Sequence, residues 1–184
     1  MKLIIVDLDG TLFDTKDINF HAYKEAVEQY GFRIDYDYYC HFCNGKHYME
    51  FLPQITTQDE DILEAMHAHK KKAYKKYISL AVPNHTLIDL LSNMHGVYKT
   101  AIVTTASKEN CYDLLKTFNL TDLFDLILTH DDISASKPDP EGFLKAMNYF
   151  EAQPDETVIF EDSEVGLEAA KRSGAHYYKT FGYN

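Results

Sequence analysis

Four short segments concentrate the side chains able to do chemistry: Asp7-Leu8-Asp9-Gly10-Thr11, Thr104-Thr105-Ala106-Ser107, Ser136-Lys137-Pro138 and Glu161-Asp162-Ser163. Together they supply carboxylates, hydroxyls and one lysine. Carboxylates gathered in one place repel and raise one another's pKa unless a cation sits among them. Oxygen donors of this kind suit magnesium, which prefers octahedral oxygen and keeps waters that a phosphate oxygen can displace. Asp7, Glu161 and Asp162 are the candidate metal ligands, with Asp9 on the same turn as Asp7 completing the set. Asp7 can attack phosphorus, while Asp9 can protonate a leaving oxygen and later deprotonate water. Lys137 would neutralise the phosphoryl oxygens and Thr104 would hydrogen-bond to them. Gly10 permits a tight turn that exposes both aspartates to one pocket, and Thr105 is left to offer its backbone amide.

Such segments act together only if the fold brings them to one rim. Five apolar runs, 3–6, 100–103, 125–128, 157–160 and 175–178, alternate with helix-like segments, the order of a parallel α/β sheet. In open sheets of this kind ligands bind beyond the carboxyl ends of the strands, where the four segments fall. Helical spacing over 140–150 and 163–173 gives two crossovers, and Leu87, Leu90, Leu91 and Met94 line one face of a helix closed by Gly96. Between the first two strands, residues 16–82 are too many for one crossover helix. They predict an inserted helical cap with helices at 17–30, closed by Gly31, near 46–52 and over 59–78, with Pro83 marking the return. The core is then 1–15 and 83–184.

The four segments, in this order, resemble the motifs of the haloacid dehalogenase superfamily. The first runs Asp7-Leu8-Asp9-Gly10-Thr11-Leu12-Phe13-Asp14-Thr15, the second Ala101-Ile102-Val103-Thr104, the third Ser136-Lys137-Pro138-Asp139-Pro140 and the fourth Phe160-Glu161-Asp162-Ser163-Glu164-Val165-Gly166. The resemblance covers nearly the whole chain. It implies a Rossmann-like core, a cap inserted after the first motif and transfer through an aspartyl phosphate. Asp9 separates the phosphoryl-transfer branch from the dehalogenases, which are expected to lack that second carboxylate. The cap resembles the small helical type of phosphoglycolate phosphatases and β-phosphoglucomutases, and Asn44-Gly45-Lys46 looks like its glycine-bearing substrate loop. Gly45 and Lys46 are therefore candidate substrate-binding residues. Where the mutase pattern has a histidine this chain has Asn19, and where it has an arginine after the cap glycine this chain has His47 and Tyr48. Both departures weaken the mutase reading. The expectation is a magnesium-dependent phosphatase of a small phosphorylated metabolite working through an aspartyl phosphate, with a phosphosugar mutase as the alternative.

Composition narrows the partners. The formal net charge of −11 over 184 residues repels polyanions, so nucleic acid is disfavoured as a partner. No apolar run of about 18 residues is present to span a bilayer, and the apolar stretch at the N-terminus is too short for a signal peptide. Three cysteines give no disulfide framework and suit a reducing, cytoplasmic setting. Cys40, Cys43 and His47 carry zinc-capable donors but lack a fourth ligand at a recognisable spacing. The lysine cluster from Lys70 to Lys76 reads as a solvated helix face.

Overall fold

In the computed structural model, which describes residues 2–181, β1 (Leu3–Val6) is an unbroken run of buried apolar residues. A strand covered on both faces has no polar side to alternate with, and β1 accordingly lies in the middle of the sheet. Beyond it Phe13–Asp14 (β2) pairs antiparallel with Val82–Pro83 (β3), a two-residue ribbon absent from the sequence expectation. The chain divides into two compact units, Thr15–Ala81 and the remainder.

The unit Thr15–Ala81 is helical: α1 (Lys16–Glu28), the one-turn α2 (Tyr36–Tyr38), a π turn at Tyr39–Cys43, α3 (Tyr48–Ile55) and α4 (Glu60–Tyr74), which tightens into a 3-10 segment, Lys75–Leu80. Its core joins Phe20, Tyr23 and Val27 of α1 to Phe51 and Leu52 of α3 and to Leu63 and Met66 of α4. These positions recur at helical spacing, which is why each helix buries one stripe. Asp59 caps α4 by accepting the Ile62 N–H at 3.2 Å. The turn from Tyr36 to Cys43 was not anticipated, because its only buried side chains are Tyr39 and Cys43, too few for a periodic signal. Lys70 is less solvated than expected, its ammonium lying 5.1 Å and 5.2 Å from the Tyr23 and Tyr74 ring centres.

The other unit is an α/β layer structure with a Rossmann-like parallel sheet, as the alternating apolar runs require. After α5 (His85–Met94) come β4 (Lys99–Val103), α6 (Lys108–Thr117), β5 (Leu126–Leu128), α7 (Glu141–Tyr149), β6 (Thr157–Glu161), α8 (Glu164–Ser173) and β7 (His176–Lys179). The five strands run in the order β5-β4-β1-β6-β7 and all pair in parallel. The sequence reading named no helix between its second and third runs. There α6 buries Cys111, Leu114 and Leu115, one stripe at helical spacing. Against the sheet, Phe143, Ala146 and Met147 of α7 and Ala169 and Ala170 of α8 pack on Leu3, Ile5, Ala101 and Ile159. The register Val6↔Ile102 and Val6↔Phe160 brings the carboxyl ends of β1, β4 and β6 to one level. Asp7 and Glu161 therefore leave the sheet side by side, with Thr104 one residue further along the line of β4.

Candidate active site

Asp7 is the first residue past β1, and its N–H donates to the Phe160 carbonyl at 3.0 Å, which continues the β1–β6 ladder and fixes where the carboxylate leaves the sheet. Three residues on, Gly10 has φ of +89°, in the left-handed region, and a Cβ there would lie 2.1 Å from Asp162 Oδ2. Glycine is thus required twice, by the turn and by the close approach of the acid from β6. The neighbouring Thr11 hydroxyl donates to Asp162 Oδ1 at 2.9 Å and sets that carboxylate's orientation.

Lys137 ties the acids together. Its ammonium donates to Asp7 Oδ1 at 2.5 Å and to Glu161 Oε2 at 2.6 Å, with its side chain only 7% exposed. Below it lies the ring of Phe143, whose centre is 5.3 Å from the ammonium. Burial alone would lower the lysine's pKa, but the two carboxylates outweigh that and raise it, so the group is a fixed cation. Burial, followed by the charge of Glu161, pushes Asp7 well above the usual carboxylate range. The same two causes, in the same order, push Asp162 up to about 6. One lysine among three carboxylates leaves an excess of negative charge.

That excess, together with geometry, fits a hard divalent cation. Asp7, Glu161 and Asp162 each present an oxygen within 4.8 Å of the others, and an all-oxygen donor set of this kind suits magnesium. Glu161 is the most committed of the three, because besides Lys137 its Oε1 accepts from the Ser163 hydroxyl at 2.7 Å, the Ser163 N–H at 3.1 Å and the Asp162 N–H at 3.2 Å. Asp9 is half-buried on the turn after Asp7, and its carboxylate is not one of the three. Thr104 is buried at the end of β4, where its hydroxyl oxygen accepts the Ala106 N–H at 3.0 Å, while Thr105 is exposed at the rim.

Gly45 and Lys46 belong to the helical unit. Gly45 has φ of +80° in an exposed turn, and the Lys46 N–H donates to the Cys43 carbonyl at 3.1 Å. Asn19 in the same unit donates to the Thr15 carbonyl at 3.1 Å. Three contributors to the core site went unnoticed at the sequence level as separate groups. Thr11 orients Asp162. Ser163 both steadies Glu161 and caps α8 by accepting the Gly166 N–H at 3.1 Å. A Cβ on Gly166 would lie 2.0 Å from Glu161 Cδ, so this glycine makes room for the acid. The pairing of a serine with a glycine three residues later was the available signal for the last two.

A Rossmann-like sheet that sets an aspartate, a buried lysine and two further acids at its carboxyl edge defines an α/β enzyme site whose acids can share a divalent cation. A family model described as haloacid dehalogenase-like hydrolase matches residues 4–179, and the chain belongs to that family. Among its relatives, a phosphorylated carbohydrates phosphatase of Thermotoga maritima is 28% identical over 95% of this chain and 82% of its own length. A fructose-1-phosphate phosphatase of Escherichia coli is 27% identical over 93% of this chain and 92% of its own. Among solved structures, a candidate β-phosphoglucomutase from Thermotoga maritima superposes with a TM-score of 0.78 at 28% identity, covering 100% of this chain and 88% of that one. Among the described residues no helix is long and apolar enough to cross a membrane.

Proposed function

We propose that this hydrolase cleaves a small phosphomonoester, with Asp7 as the nucleophile that carries the phosphoryl group between substrate and water. The observation that carries the reading is the buried Lys137 ammonium seated between Asp7 and Glu161, at 2.5 Å and 2.6 Å. It holds a positive charge against the nucleophile, where the phosphoryl oxygens must arrive. Asp7 attacks phosphorus and the P–O bond to the leaving group breaks, while Asp9 gives its proton to the departing oxygen. Water then loses a proton to Asp9 and attacks the aspartyl phosphate, which returns Asp7 as a carboxylate and releases phosphate. Thr104, past the end of the neighbouring strand, supplies a hydroxyl for a phosphoryl oxygen and Thr105 offers its backbone N–H to the same ligand, while Gly10, whose own N–H is donated to the Phe13 carbonyl at 2.7 Å, contributes the turn that lets the substrate approach. Magnesium, held by Asp7 and Asp162 with Glu161 and Asp9 beside them, would screen phosphoryl charge from the acids.

The names of the two phosphatase relatives support a sugar phosphate or similar metabolite as substrate. Gly45 and Lys46 of the helical cap are assigned to the part of the substrate beyond the phosphate, Lys46 through its charge. A mutase reading draws its support from the β-phosphoglucomutase candidate among the solved structures, and Asn19 stands against it. The test is a panel of phosphate esters, sugar bisphosphates included, assayed with magnesium and with EDTA. The proposal requires release of inorganic phosphate that EDTA abolishes. Isomerisation of a sugar phosphate without net phosphate release would replace it with the mutase, and Lys46→Ala acting equally on a sugar phosphate and on p-nitrophenyl phosphate would remove Lys46 from recognition.

A further inference from the structure

Lys137 lies in a stretch without regular structure, between Ile133 and the first turn of α7. A buried ammonium that must meet two carboxylates needs its backbone held in place, and here that backbone is tied on both sides by charged residues outside the site. Before the lysine, the Glu141 carboxylate accepts the Ser134 N–H with both oxygens at 3.0 Å and the Ala135 N–H with Oε2 at 2.6 Å. After it, Arg172, in the last turn of α8, donates from Nη1 to the Pro138 carbonyl at 2.8 Å. Within the loop, the Asp139 N–H donates to the Ser136 carbonyl and the Glu141 N–H to Asp139 Oδ1, each at 3.0 Å.

We propose that Glu141 and Arg172 are positioning residues that clamp the loop from Ser134 to Asp139 so that Lys137 reaches Asp7, an inference that rests on the phosphatase reading above. Glu141 is the first residue of α7, where a carboxylate would ordinarily serve its own helix. Its acceptors are spent instead on N–H groups six and seven residues earlier, which stitches the loop to the helix. Hydrogen bonds to an ionised carboxylate are roughly twice as strong as neutral ones, and Lys145 one turn along α7 pairs with Glu141 at 2.6 Å and keeps it in place. The same carboxylate is held down to a pKa of about 2 by Lys145 first and the Ser134 and Ala135 N–H groups next, so it stays ionised across the working range. Arg172 extends the arrangement to α8, whose first turn follows Asp162 and Ser163. The lysine and the acids it serves are thereby referenced to the same pair of helices.

The experiment compares Glu141→Gln, Glu141→Ala and Arg172→Met with wild type, by hydrogen–deuterium exchange over 134–139 and by kcat and KM for p-nitrophenyl phosphate with magnesium. Glu156→Gln is the control: that glutamate likewise accepts a backbone N–H, from Gln153 at 3.1 Å, and pairs with a lysine, Lys2, at 3.0 Å, but it sits at the amino end of β6. A misplacement of about 1 Å at a reacting group costs on the order of 10²-fold. Both Glu141 variants should therefore quicken loop exchange and lower kcat by about 10-fold or more at unchanged folded fraction, with KM moving less, while Glu156→Gln does neither. Unchanged loop exchange, or a loosened loop with kcat intact, overturns the clamp alone. A wild-type protein inert towards every ester overturns the functional reading and the clamp with it.

Discussion

Replacing Gly166 by alanine sets two effects of opposite sign against each other. Gly166 is the third residue of α8 and buried, so helix propensity by itself favours alanine by about 1 kcal/mol. The added methyl would lie 2.0 Å from Glu161 Cδ and 2.3 Å from each carboxylate oxygen, where ordinary contact begins at 3.4 Å. Glu161 must retreat by more than an ångström, yet it is 1% exposed and held by Lys137, the Ser163 hydroxyl and two backbone N–H groups. Breaking a hydrogen bond to a buried charge costs about 1.5–3 kcal/mol. With one or two such bonds broken, Gly166→Ala should be less stable by ~0.5–5 kcal/mol after the helix gain is subtracted. Because Lys137 moves with Glu161, kcat should fall by about 10²-fold. Urea unfolding followed by tyrosine fluorescence gives the first quantity, and turnover of p-nitrophenyl phosphate well below the midpoint gives the second. A variant that gains stability and retains full activity would show that Glu161 is not held where its bonds place it, and the electrostatic argument for the site would fail.

Asp7→Asn should abolish turnover without unfolding the protein, since the substitution keeps the volume and removes the nucleophile; substantial residual activity would remove Asp7 from that role. Asp9→Asn should slow turnover by about 10²–10⁴-fold, the usual worth of acid–base catalysis, and an unchanged rate would eliminate Asp9 as the proton carrier. Asp162→Ala should raise the magnesium concentration needed for half-maximal activity, a shift read from a metal titration; identical titrations would place the metal elsewhere. In the helical unit, His67 stacks on Tyr48 and its Nδ1 lies 3.3 Å from the Tyr23 hydroxyl. Burial first, then Lys71, Lys70 and His47, lower its pKa from 6.5 to about 4, so the folded protein keeps it neutral where the unfolded chain binds a proton. Stability should therefore fall as pH drops from about 6.5 to about 4, by ~1–2 kcal/mol once solvent screening of this half-exposed ring is allowed for. Thermal midpoints of wild type and His67→Gln should converge at the acid end of that window, and parallel pH curves would count against it.

What the sequence discloses follows from how each feature is encoded. The sheet was legible because β1 and β6 are buried runs, and burial on both faces leaves an apolar block that no loop would carry. The four motifs were legible because polar residues that close such blocks must converge at one edge. By contrast the turn from Tyr36 to Cys43 buries few side chains and left no period to find, whereas α6 does carry a helical stripe, Cys111, Leu114 and Leu115, among polar residues. The ribbon Phe13–Asp14 with Val82–Pro83 joins residues far apart in the chain and carries no local signal at all.

The supporting shell was hidden for a different reason: its residues have an ordinary local explanation that suffices on paper. Ser163 reads as a helix cap, Gly166 as an unremarkable small residue, Glu141 as an acid at a helix start, and each does sit where that local role would put it. Their second role exists only across the fold, in the Ser163 hydroxyl on Glu161, the space Gly166 leaves for it and the Glu141 carboxylate on Ser134 and Ala135. A residue whose local role is satisfied gives no reason to look further. Such positions separate a chain that merely carries the four motifs from one in which Lys137 is held within reach of Asp7. Replacing them should therefore leave the motifs intact to the eye while displacing the lysine, and the Gly166→Ala and Glu141→Gln measurements probe that separation from the two helices that bear on it.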